Sequence, residues 1–551
     1  MSDAVDRVCH EYLDLTYLAS PTTATRYGEH GFDDHLDDLT EDNLDLYAAE
    51  LRRLLRGLRE IPVVDPGWAP RDGDGLAGAG DEADRDALAA EISHRILEHE
   101  HERPWRRNPF VAAARVPVSL LDLIMRDFAP VETRVRSVAS RLEAVPRFLD
   151  QAKGLLDEPC PALWRAMAAG AAEQAARFVA TRLPEAAAGT AVAGRVEEAA
   201  TGAAAALRGF AAWLTEEHAA RFPDDAPFAV GEAAQAALLR EAHCFDQGPD
   251  AFLALGEAQV AELSDALAEH AGRLGGRDWA AKLDEVKGGH PSADELLPAY
   301  GAELARLEQF VFEHDLVTNP QAKAEVEATP EFMRGFMGFA AYASSGPFDP
   351  YQRGFFYVTP PPDPSGLRDH SFAAIPSISA HEGYPGHHLQ MTSVNRLPSV
   401  TRKTLRSSLM IEGWGLYTEQ LMHDVGYYSP EARLVQLGLR LMRALRIVLD
   451  MELQTGAIGY REAVAKAMRV ARIAEPTARS EVARYTMTPT QPFTYLVGAL
   501  ELERLRAASE SRLGLAFRYR DFHDRVLSYG HMPPALVRRA VETADAAELG
   551  D

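Results

Sequence analysis

His381-Glu382-Gly-Tyr-Pro385-Gly386-His387-His388, with Glu412 lying 25 positions beyond His387 in Ile-Glu-Gly-Trp-Gly-Leu-Tyr, carries the most information in this chain. Two imidazoles and a distant carboxylate can hold a zinc ion. A glutamate directly after the first imidazole is placed to activate a metal-bound water, which completes the inventory of a metallohydrolase. The spacing differs from the common His-Glu-x-x-His pattern, where histidines four apart share one helical face. Six residues of regular helix turn through roughly 600°, so His381 and His387 would face different ways. Proline removes a backbone hydrogen bond and glycine permits unusual dihedrals, so Pro385-Gly386 predicts a bulge that absorbs two residues. With that bulge His387 is the second ligand. His388 is the alternate, seven residues on and about 10 Å further along the helix.

Working outward, Arg406 to Asp424 reads as a second helix carrying Glu412, separated from the first by the loop-like Arg396-Leu-Pro-Ser. A short connection lets two helices lie antiparallel, which would return Glu412 to the histidine pair. Glu419, seven residues after Glu412, falls on the same face. It reads either as an acceptor that orients a ligand imidazole or as a solvated carboxylate.

Helical patterns dominate the remainder. Glu41–Glu60 places Leu44, Tyr47, Leu51, Leu54, Leu55 and Leu58 at spacings of three and four, and similar periodicity runs through 84–101, 131–155, 162–183 and 196–221. The alanine-rich tract from Ala166 to Ala212 is punctuated by Phe178, Leu183, Val192, Leu207 and Phe210, which predicts close-packed helices. Pro66–Asp81 reads as a loop. Between 344 and 376 the habit breaks. Arg353-Gly-Phe-Phe-Tyr-Val358, followed by three prolines, predicts a strand lining the site, whose exposed edge could pair with a peptide backbone or serve only as structural packing. The expectation is a mainly α-helical chain with one small β element, a single catalytic domain over 1–551. The metal-site helices span about 377–424, and the prolines near 344–376 mark a candidate seam between two lobes.

Composition narrows the partners. The 551 residues are 46% hydrophobic and 25% charged, ordinary for a soluble globular protein. A net charge of -25 disfavours nucleic acid and anionic membrane as partners. Three scattered cysteines, no secretory leader and no run of roughly 20 apolar residues give the expectation of a cytoplasmic protein.

The motifs at 381–390 and Glu-Gly-Trp-Gly-Leu-Tyr-x-Glu at 412–419 resemble the bacterial family known as domain of unknown function 885. Arg-Gly-Phe-Phe-Tyr-Val at 353–358, Glu-Val-Ala-Arg-Tyr at 481–485, Tyr495-x-x-Gly498 and Phe-His-Asp-x-Val-Leu-x-x-Gly at 522–530 extend the likeness. Pro21-Thr-Thr-Ala-Thr-Arg-Tyr-Gly28-x-His30 fits its opening pattern. That family is similar to helical zinc peptidases of the thimet oligopeptidase and carboxypeptidase Taq kind. The resemblance implies a large two-lobed helical fold with a deep cleft, and one zinc ion held by His381, His387 and Glu412. It favours His387 over His388. It further implies that Glu382 is the general base, that Tyr495 donates a hydrogen bond to the oxyanion, and that Arg484 and Tyr485 contact substrate. Two segments depart from the family pattern. Gln454, in Arg446-Ile-Val-Leu-Asp450-Met-Glu-Leu-Gln454, stands where relatives carry a histidine that could supply a proton or charge. Pro489-Thr-Gln-Pro-Phe-Thr-Tyr495 replaces Pro-Gly-Gln-Ala-x-Ser-Tyr.

Zinc-dependent hydrolysis of an amide or peptide bond in a short peptide or small amide metabolite is the leading expectation. The same two histidines and one glutamate also suit non-haem iron, although that chemistry gives Glu382 no evident task. The altered segments motivate a third reading, a non-catalytic binding protein on a peptidase scaffold.

Overall fold

The computed structural model describes residues 2–61, 81–334 and 338–549, and the chain is mainly α-helical with one small sheet. The expected helices are present as Glu41–Arg59, Val131–Leu155, Ala162–Ala187 and Ala193–Trp213. The 84–101 pattern forms helix Asp81–Leu97, whose last turn widens into a π-turn at Glu98–Glu102. The 196–221 pattern likewise passes through a π-turn at Leu214–His218. The loop expected at Pro66–Asp81 lies outside the described residues, apart from Asp81 itself, which begins a helix.

Apolar packing separates one helical unit from the rest. Helices Pro109–Met125, Val131–Leu155, Ala162–Ala187 and Ala193–Trp213 share a core that includes Leu120, Leu142, Val179, Leu207 and Phe210. Ala172, Ala175 and Ala176 on one helix and Ala200, Ala203 and Ala204 on another are all buried there, and such small side chains let helix backbones approach closely. The larger core joins the N-terminal helices to the C-terminal half and contains Trp414, Tyr384 and Phe356. A third cluster surrounds Leu449, Leu453 and Tyr485. The division in packing thus falls around 109–214. The segment near 344–376, read from sequence as a seam, touches both units: Phe348 N–H donates to Tyr27 O at 2.9 Å, and Arg126, at the end of helix Pro109–Met125, bonds Asp349.

The sheet has strand order β1–β3–β2, with β1 (Ala324–Ala328) parallel and β2 (Ala340–Ser344) antiparallel to β3 (Gly354–Val358). The strand predicted around 353–358 is therefore the central one, with Phe356 and Val358 fully buried. Its edge is not exposed, which corrects the expectation that it could receive a peptide. The two edges of the sheet are β1 and β2, and it is β2 that lies beside Glu382. Thr359 N–H bonds Phe339 O at 2.7 Å and Ser345 N–H bonds Arg353 O at 3.2 Å at the two ends of the ladder. By antiparallel alternation Ala340, Tyr342 and Ser344 then direct their peptide groups away from β3.

Candidate metal centre

His381 lies on helix Ile375–Glu382 and His387 opens helix His387–Val394, so the chain makes a full break at 383–386 rather than a bulge within one helix. A side chain at Gly386 would run into the carbonyl of His381, so only glycine permits the chain to fold back this tightly. The break is fastened from outside: Trp414 Nε1–H donates to Pro385 O at 2.9 Å. Trp414 belongs to helix Ser408–Asp424, which also carries Glu412 and Glu419. Gly415 on that helix lies against the His381 ring, where an added Cβ would come within 2.6 Å. Ser377 meets Glu419 while His387 meets Glu412, so the two segments run in opposite senses.

His381 Nε2 lies 3.8 Å and His387 Nε2 3.6 Å from the same oxygen of Glu412, and one ligand atom from each residue falls within 4.8 Å of the other two. Donors arranged tetrahedrally around zinc stand about 3.3 Å apart, given metal–ligand distances near 2.0 Å. The group is close to that spacing. His381 Nδ1–H donates to Glu419 at 2.9 Å, and Glu419 also accepts from Ser377 Oγ at 2.8 Å. That turns Nε2 of His381 toward Glu412, the nitrogen that would ligate a metal in place of a proton. His387 Nδ1 has a longer contact, 3.5 Å, to Gln390 Oε1.

The electrostatics call for positive charge. Burial opposes the charged form of His381, yet the close carboxylate of Glu412, the hydrogen bond to Glu419 and the nearby Glu382 outweigh that and lift its pKa to about 10. Burial also works against the Glu412 carboxylate, but His381 and His387 hold its pKa well below the usual range. Glu419 is lowered in the same way, its burial outweighed chiefly by His381. Two imidazoles and a carboxylate in this environment have the donor chemistry of a zinc site, where a cation would supply the charge that protons otherwise bring.

Glu382 is half-buried, and its carboxylate accepts from the backbone N–H of Tyr342 at 2.9 Å. This contact joins the residue after the first histidine to the free edge of β2. The neighbouring His388 is fully buried and separate from the triad. Tyr342 O–H approaches its Nδ1 at 3.1 Å, its Nε2 meets Ala322 O at 3.2 Å, and burial depresses its pKa to about 4.

The residues expected to meet substrate divide into two groups. Tyr495 is partly buried, beside Arg446, whose guanidinium lies 4.7 Å from the ring centre. Burial, followed by the charge of Glu412, raises its pKa, so the phenol stays protonated. Gly413 packs directly on Gly498, which brings helix Thr494–Leu513, and Tyr495 at its start, against the Glu412 helix. Arg484 is partly exposed and bonds Gln491 at 2.9 Å and Glu481 at 3.2 Å. Tyr485 differs from expectation. It is fully buried with its hydroxyl held by Glu481 and Arg446, so its phenol is committed inside the protein. Gln454 is buried behind it, donating to Tyr485 O at 2.8 Å rather than joining the triad. Sequence reading also passed over Asp450. Its carboxylate accepts from Thr490 N–H at 3.2 Å and Phe493 N–H at 3.3 Å, bracing the turn that precedes Tyr495, and burial raises its pKa to about 8. An aspartate three residues after apolar Ile447 on a core-facing helix was the available signal.

Solved structures share this fold. One, described as a putative lipoprotein of unknown function from Shewanella oneidensis, has 20% identity and a TM-score of 0.78, covering 98% of this chain and 99% of its own. Another, described as a putative lipoprotein from Colwellia psychrerythraea, has 17% identity and a TM-score of 0.80, covering 99% of each chain. No curated protein matches the sequence. Both neighbours are described as putative lipoproteins, which runs against the cytoplasmic expectation and corrects it. An acyl anchor needs no apolar helix, so the lack of a spanning segment was never evidence of a cytoplasmic address. The model of a bacterial protein family of unknown function, DUF885, matches residues 21–541, and the chain belongs to that family.

Proposed function

We propose that this protein is a zinc-dependent hydrolase that cleaves an amide or peptide bond in a short peptide or small amide metabolite. The observation that carries the reading is the convergence of His381, His387 and Glu412 with Glu382 anchored beside them. These three residues would hold the ion, which supplies Lewis acidity toward a carbonyl and lowers the pKa of a water. Glu382 takes the proton from that water and passes it to the leaving amine, its carboxylate steadied by the Tyr342 N–H. Tyr495, kept protonated by burial, donates to the oxyanion. Arg484 offers a guanidinium fork to a substrate carboxylate. The outward peptide groups of Ala340 and Ser344 on β2 can pair with an extended substrate. By likeness to the neighbours described as lipoproteins, the setting is membrane-anchored and non-cytoplasmic.

Elemental analysis of protein purified without chelator or affinity metal, together with a screen of short peptides and a folded protein, tests the reading. One zinc per chain with cleavage of short peptides is expected. Stoichiometric iron, or no metal at all, would sink it in favour of oxygen chemistry or a binding role respectively.

A further inference from the structure

Away from the triad, unpartnered polar atoms gather around one small cavity. A partly open cavity of about 40 Å³ is lined by helix Asp81–Leu97, the π-turn Leu238–Ala242 with His243, and the start of helix Ser408–Asp424. Glu91, His94, His243, Arg406, Ser407 and His531 line it. Both ring nitrogens of His531, Nδ1 of His243, Nε of Arg406 and Oγ of Ser407 are buried and make no hydrogen bond. His531 is 1% exposed. Buried polar groups without partners are costly, so five such atoms around one cavity point to an occupant.

The charges select its kind. Arg406 has no carboxylate ion pair among the described residues; it contacts Met391 Sδ at 3.5 Å, and its guanidinium lies 5.8 Å from the centre of the Tyr27 ring. The first N–H groups of helix Ser408–Asp424 lack carbonyls one turn back and present the positive end of the helix dipole. The one carboxylate in the lining, Glu91, is already engaged by Tyr12 O–H at 3.0 Å and Arg95 Nε–H at 3.1 Å. Burial depresses His94, and takes His243 and His531 down to about 3, so the imidazoles stay neutral and each retains one N–H to donate. The donors therefore outnumber what a neutral water needs, and an unpaired guanidinium faces them. One water needs about 10–15 Å³ on this scale, so the cavity has room for a small anion together with water.

We infer that this cavity is a binding site for a small inorganic anion, held by Arg406, Ser407, His531 and the N-terminus of helix Ser408–Asp424, with bromide as the probe. Glu412 lies one turn further along that helix, so the anion fixes the start of the element that delivers the carboxylate to the triad. The site stands independently of the hydrolytic reading.

The test uses the full chain. Crystals grown in sodium bromide should show an anomalous peak inside the cavity, and the melting temperature should rise saturably with sodium chloride when sodium gluconate holds ionic strength constant. Arg406→Gln should abolish the chloride-specific rise, and Ser407→Ala should weaken it. Electron density of water only, without an anomalous peak in the wild-type crystal, overturns the inference. So does an equal thermal rise in gluconate. The wild-type bromide experiment decides the matter even if Arg406→Gln does not fold.

Discussion

The helical unit at 109–214 and the ligand-bearing segment at 375–424 are both well buried, yet they are filled with opposite kinds of side chain. The first packs Leu120, Leu142, Val179, Leu207 and Phe210 around small alanines. Its buried arginines mostly meet backbone carbonyls, Arg134 at Leu123 and Ile124 and Arg141 at Ser119 and His35, with single side-chain partners such as Asp127 for Arg134 and Asp224 for Arg165. The second buries Ser377, Ser379, His381, His387, His388, Gln390, Thr418 and Glu419 within about three helical turns of one another. An apolar core stabilises by removing surface from water. A polar core costs stability unless every group is paired, and it persists where the pairing itself serves a purpose. The comparison teaches that the second region is built to hold charge.

The sharpest way to break that contrast is Glu382→Gln. Turnover of an identified substrate should fall by about a hundredfold to ten-thousandfold, with metal content unchanged; cleavage at the parental rate would remove Glu382 from its role. The paired variants His387→Ala and His388→Ala come next. The first should lose stoichiometric zinc and the second should largely keep it, read by elemental analysis, because His388 is bound to Tyr342 and Ala322 instead of facing Glu412. Glu419→Gln should weaken zinc affinity by about tenfold to a hundredfold, since it removes the charge that orients His381. A competitive chelator titration measures it, and an unchanged affinity would make Glu419 merely structural. Leu207→Ala tests the other side of the contrast. It should destabilise the fold by about 2–5 kcal/mol in denaturant unfolding and leave zinc affinity untouched, because the cavity opens in a separate core. A change in metal affinity there would mean that the two cores are mechanically joined.

Much of the helical architecture was legible in the chain. The helix Val131–Leu155 coincides with its apolar periodicity, and the alanine-rich tract proved to be two helices packed through small side chains. Periodicity faltered at β1 and β2. Ala-Glu-Val-Glu-Ala and Ala-Ala-Tyr-Ala-Ser carry little β propensity, and pairing with β3 overrides what their composition suggests. For the same reason the strand that could be read, β3, became the covered one, while the unread β2 holds the free edge beside Glu382.

At the site, the sequence by itself determined the donor set: the residue types, the His-Glu pair, the carboxylate on a second helix, and a proline–glycine interruption that no regular helix could ignore. These are local properties, set by side-chain chemistry and by the dihedrals each residue permits. Only the tertiary structure decided how they meet. It opened a full break where a bulge was expected, and it turned His387 to Glu412 and His388 to Ala322 O. It withdrew Tyr485 and Gln454 into the interior and brought Arg406 and His531 to a common cavity. Each of those outcomes depends on contacts between elements tens to hundreds of residues apart. A sequence pattern reports which face of an element is apolar, but the identity of the neighbour that covers that face is fixed only when the whole chain packs.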